Sequence, residues 1–135
     1  MSRDVVVTDI DINTTDDWKP AEEVYELYNT SLPSRSGELG GAIVRVLSVD
    51  PETGATTTIL KVPAGWQTPP SREKHSVLQE EFILSGELSF GGIDLKPPAY
   101  ISMPAGTWHG PAIAKTDCVL ISICYGPLDV TFEEA

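Results

Sequence analysis

From residue 42 to the end, apolar residues recur in short runs that glycine and proline keep interrupting. Residues 42–49 read as a strand. Pro51-Glu-Thr-Gly54 follows as a turn, with proline and glycine where a β-turn takes them. Further strands are expected over 56–62, 80–85, 88–91, 93–95, 99–103, 118–125 and 130–132. Upstream, residues 4–12 alternate loosely and are rich in valine, which predicts a first strand. The segment 14–28 carries helix-start signals: Asp17 as cap, Pro20 early, and Glu22 and Glu23 at the positive end of the dipole. Residues 30–41, with Pro33, Gly37, Gly40 and Gly41, read as a loop. Short strands at this spacing predict an all-β sandwich or barrel with one short N-terminal helix.

The chain has 135 residues, which suits a single domain over 1–135, and 41% are hydrophobic, enough for a buried core. No apolar run is long enough to span a bilayer. Residues 1–10 carry Arg3, Asp4 and Asp9 and lack the apolar stretch of a secretory signal, so a cytoplasmic location is expected. The net charge of −11 repels phosphate backbones and argues against nucleic-acid or anionic-membrane partners. Cys118 and Cys124 lie six residues apart in one apolar run. On a strand that is about 20 Å, beyond disulfide reach, so both are expected to be free, buried thiols.

Candidate chemistry gathers around the two histidines. His109 closes Pro104-Ala-Gly-Thr-Trp-His109. His75 lies upstream of Phe82-Ile-Leu-Ser-Gly-Glu-Leu88. Residues two apart on a strand share a face, so Glu73 and His75 would point the same way. The proline–glycine turn before His109 could aim it at the same point from another strand. A metal site needs this convergence of ligands from separate strands.

These stretches resemble the two motifs of the cupin superfamily. The likeness spans roughly residues 58–126 and implies a double-stranded β-helix, the jelly-roll barrel, around one divalent metal. The family's ligand order of His, His, Glu, His falls here on Glu73, His75, Gln79 and His109. Counting back from Gly86 puts Gln79 in the slot where the family has Glu. Glu80 is the alternative occupant, but a one-residue shift turns a side chain to the opposite face. The family's Gly before Pro104 and its Asn after His109 are replaced by Pro98 and Ile113. Two histidines and one carboxylate match the facial triad of non-haem Fe(II) oxygenases, so Fe(II) is favoured, with Mn, Ni, Zn or Co also compatible.

Near the site, Glu81 shares parity with Gln79 and is a candidate general base; a solvent-exposed hairpin carboxylate is the equal alternative. Trp66, Phe82, Tyr100 and Trp108 are candidates for an apolar pocket, against a simple core role. The resemblance implies a metal-dependent enzyme acting on a small molecule. Small single-domain cupins include dioxygenases that cleave carbon–carbon bonds, and that activity is expected here. A non-oxidative lyase or isomerase using the metal as a Lewis acid, or a non-catalytic ligand-binding barrel with an empty site, are the alternatives. The resemblance also implies a homodimer, with residues 4–12 a candidate for exchange between subunits.

Overall fold

The computed structural model describes residues 5–10, 12, 17–21, 23, 41–68 and 71–133. Most of the segment expected to be helical, 14–28, lies outside them, as does most of the 30–41 loop; within 14–28, Lys19–Pro20 form a strand instead, paired with Val44 and Ile43. Residues 5–10, expected as a strand, form none: Val5 and Val7 are almost wholly exposed, and among the described residues no strand pairs with this stretch. Valine content favours a strand only where a partner ladder exists, and here side-chain contacts serve instead. Arg45 donates to the Thr8 hydroxyl at 3.1 Å and to the Asp9 carbonyl at 3.3 Å.

Eleven strands make up the described fold. They are β1 (Lys19–Pro20), β2 (Ile43–Val49), β3 (Thr56–Val62), β4 (Glu73–Lys74), β5 (Gln79–Ser85) and β6 (Leu88–Phe90). Then come β7 (Ile93–Leu95), β8 (Ala99–Met103), β9 (Ala112–Ala114), β10 (Cys118–Cys124) and β11 (Thr131–Phe132). A six-stranded sheet runs β1-β2-β3-β10-β5-β8, a three-stranded sheet β7-β6-β9, and β11 pairs with β4. Among the described residues every pairing is antiparallel. The crossovers between β3 and β10, and between β5 and β8, wind the chain into the jelly roll.

Both larger sheets bury their inner faces in one core. Val44, Leu60, Ile83, Ile101 and Leu120 from the first sheet meet Leu88, Ala112 and Ala114 from the second. Each fully buried aliphatic side chain contributes roughly 1.5–3 kcal/mol. Strand β10 shows the pleat plainly: Cys118, Leu120, Ser122 and Cys124 are buried, and the residues between them are less so. Both cysteines are free and buried, as their spacing predicts.

Gly86 ends β5 with φ at +86°, in the left-handed region that glycine enters without steric cost. A Cβ there would lie 2.1 Å from the Asp117 carbonyl oxygen. Glycine at this corner thus lets β5 turn into β6 against the start of β10.

Candidate metal centre

The register lays out the barrel wall in rows. Thr56, Cys124, Gln79 and Met103 stand side by side across β3, β10, β5 and β8. Thr58, Ser122, Glu81 and Ile101 form the next row, and Leu60, Leu120, Ile83 and Ala99 the third. The interior is therefore polar toward the Gln79 end and apolar below it. Gln79 is buried, and its amide nitrogen donates to the Ser122 hydroxyl at 2.9 Å.

Three ligand-type side chains converge at this end. Ligand atoms of Glu73, His75 and His109 all lie within 4.8 Å of one another. Backbone pairing is the cause. Glu73 and His109 face each other across a two-way bridge: each N–H donates to the other's carbonyl, at 2.9 and 2.8 Å. His75 follows two residues after Glu73, so the pleat returns it to the same side. The turn Pro104–Thr107 carries Gly106 at φ +74°, the third-position conformation of a type II turn. Its N–H donates to the His75 carbonyl at 2.8 Å, which docks the His109 turn onto the first histidine's backbone.

The two imidazoles differ in their partners. His75 Nδ1 is hydrogen-bonded to the Asp129 carbonyl, so this nitrogen carries the proton and Nε2 keeps the free lone pair. Neither nitrogen of His109 has a hydrogen-bond partner, although both are buried. A neutral imidazole has one donor and one acceptor, and leaving them unmet in an interior costs about 1–3 kcal/mol per group. A metal ion would satisfy the acceptor. Burial, and then the neighbouring His75, pushes His109 down to about 4, which keeps the lone pair available at neutral pH. The His75 and His109 rings lie 4.8 Å apart, and Phe90 stacks on His109 at 6.0 Å. The residues thus fit a divalent cation, by composition, closeness and an unmet lone pair.

Glu81 faces the same interior. Burial raises its carboxyl, and the Glu73 charge adds to this, to about 7. Glu80, its neighbour, points outward and accepts hydrogen bonds from the hydroxyls of Tyr100 and Tyr125. That geometry takes Glu80 away from the ligand cluster.

The four aromatic side chains expected in the pocket do not share one place. Trp66 packs on the core. Phe82 and Tyr100 pair with each other at 5.0 Å on the outer face, 39% and 50% exposed, which corrects their expected position. They share parity with Glu80, not with Gln79 and Glu81, so the pleat excludes them from the interior. Trp108 sits at the rim under the Lys74 ammonium, 4.6 Å away. Two residues of the site carried no sequence expectation. Phe90 shares parity with buried Leu88 and was open to that inference. Asp129 reaches His75 through its backbone carbonyl, for which the sequence holds no signal.

Fold and site together define a cupin: a jelly-roll barrel with a Glu-His-His cluster suited to a divalent metal. More narrowly, the chain belongs to the ChrR cupin-like domain family, whose model matches residues 31–129. No curated protein matches this chain. Among solved structures it is similar to an acetylacetone dioxygenase from Acinetobacter johnsonii. Identity there is 19%, over 99% of this chain and 83% of that one, with a TM-score of 0.65. A provisionally named acetylacetone dioxygenase from Methylibium petroleiphilum gives 23% identity, 99% and 86% coverage and a TM-score of 0.64. A polyketide cyclase from Streptomyces resistomycificus gives 18%, 71% and 73%, with a TM-score of 0.58. At these identities the likeness speaks for the fold.

Proposed function

We propose that the protein is a metal-dependent dioxygenase of small organic molecules, with Fe(II) held by Glu73, His75 and His109. The observation that carries this reading is the half-buried His109, whose two ring nitrogens are buried and unpartnered beside a carboxylate and a second imidazole. Two histidines and one carboxylate are the donor set of oxygen-using iron sites. The resemblance to acetylacetone dioxygenases supports it from the side of the fold. The ion would supply Lewis acidity and, as iron, the electrons that dioxygen chemistry needs.

The chain's own residues do the rest. Asp129 fixes the His75 tautomer, and Phe90 limits the tilt of the His109 ring. Leu60, Ile83 and Leu120 line the apolar end of the interior and exclude water. Glu81 stands on the polar wall as a carboxyl poised to hold or release a proton near neutral pH. An uncharged substrate such as a small carbonyl compound suits this interior. None of the described lysines or arginines is buried. Arg72 and Lys115 are paired with Glu133 and Asp94, Lys74 with the Trp108 ring.

The test is metal content and oxygen uptake together. Untagged protein is expected to carry near-stoichiometric metal that is lost in His75→Ala and His109→Ala. After loading with Fe(II) it should consume oxygen with a neutral diketone or related ketone. Metal binding without any oxygen uptake would move the protein to a Lewis-acid lyase or isomerase. No metal under any loading condition would leave a ligand-binding barrel.

A further inference from the structure

The strand that carries Glu73 and leads to His75 is too short to hold itself. β4 has two residues, and toward His109 it has a single bridge. Two-stranded ribbons of this kind have little stability of their own. The C-terminal segment closes the other side. Thr131 pairs with Lys74 and Phe132 with Glu73. The Glu133 N–H donates to the Arg72 carbonyl at 2.9 Å, and its carboxylate forms an ion pair with the Arg72 guanidinium. At the other end Asp129 grips twice. Its carbonyl accepts from His75 Nδ1, and its Oδ1 accepts the Ser76 N–H at 2.7 Å. Residues 129–133 therefore run along 72–76 as a clasp on the segment that carries two of the three ligands.

We infer that Asp129 is a positioning residue for the metal centre, and that the clasp formed by residues 129–133 sets its metal affinity. The inference rests on the metal reading proposed above. The physical reason is local. A backbone carbonyl can orient an imidazole only if its own peptide is fixed. The Asp129 carboxylate fixes that peptide by bonding the amide directly after His75. Removing the carboxylate frees the peptide, the ring then rotates, and both tautomers become accessible. Groups that orient a ligating histidine are typically worth about 10–100-fold in metal affinity. Coupling is reciprocal, so metal binding should also slow hydrogen exchange at the Ser76 and Glu133 amides.

The experiment is a Co(II) titration of the full-length apo protein, read by visible absorption and by chelator competition. Asp129→Ala is expected to weaken Co(II) binding by about 10–100-fold and to alter the absorption bands at saturation. Asp129→Asn keeps the Oδ1 acceptor and should stay within about threefold of wild type by the same reasoning. Should Asp129→Ala not fold, Glu133→Ala opens the far end of the clasp, and a loss of about threefold is expected, since an exposed ion pair is weak. Unchanged affinity in the variant that folds overturns the inference. So does an unaltered spectrum in Asp129→Ala accompanied only by a lower apo melting temperature, which marks a purely structural residue. A wild-type protein that takes up no Co(II) overturns the metal reading itself, a result distinct from a wild type that binds while its variants bind equally well.

Discussion

Glu80 and Glu81 are neighbours on one strand with the same functional group, and the fold treats them in opposite ways. Glu80 faces solvent, where the Tyr100 hydroxyl and then the Tyr125 hydroxyl hold its carboxyl below the usual range. Glu81 faces the barrel, where burial and then the Glu73 charge push it up to about 7. The apolar residues beside them divide likewise: Ile83 is fully buried while Phe82 and Leu84 stay 39% and 47% exposed. Chemistry in this barrel is assigned by strand parity, and one residue of shift separates a surface anchor from a proton-holding group.

The largest break in this contrast comes from its apolar members. Ile83→Ala should cost about 2–5 kcal/mol in denaturant unfolding, because the cavity lies between packed sheets. Leu84→Ala should change stability by no more than about 0.5 kcal/mol. Equal costs would mean that the parity assigned to β5 is wrong.

Next is Glu81→Gln, measured on apo protein. A carboxyl raised in the folded state favours folding fully below its unfolded value of about 4.5, and that advantage is lost as pH rises through about 7. Above pH 7 the native protein bears the penalty of a buried charge, up to about 3 kcal/mol for a shift of this size. Glu81→Gln removes it, so the variant should melt higher than wild type at pH 8 and gain nothing at pH 4.5. His109 works in the other direction. Its value of about 4 lies below the unfolded imidazole, so stability falls with falling pH between about 6.5 and 4. In wild type the two slopes oppose each other over nearly the same window. The variant should expose the His109 slope alone. A variant with the wild-type pH profile would remove Glu81 from the interior.

Glu80→Gln should have the smallest effect. Its lowered value means the contribution is present above the unfolded carboxylate value and is lost as pH falls through the folded one. A slight loss of melting temperature at pH 7 should therefore vanish in acid. A loss that persists at low pH would assign the effect to something other than the charged carboxylate.

Much of this was legible beforehand. Three strand expectations, 56–62, 93–95 and 99–103, coincide with β3, β7 and β8, because glycine, proline and alternation mark their ends. β4 and β9 carried no signal: two and three residues are too few for a period, and each lies just after a proline-containing stretch. Glu73, His75 and His109 stood out by type and spacing, and the fold brings them together. Phe82 and its cross-strand partner Tyr100 lie outside by parity alone, since Glu81 and Phe82 cannot both point inward. The Asp129 contact joins residues 54 apart through a main-chain oxygen, and no side-chain pattern encodes it.

The bridge between Glu73 and His109 has one more consequence. Ligands on directly opposed residues would make an ion there a removable cross-link, tying two distant stretches of chain as a disulfide does and opening to a chelator instead of a reductant. Since the ion would bind the folded chain alone, its supply would set how often the barrel opens to a protease. The lifetime of the protein in the cell would then track metal availability.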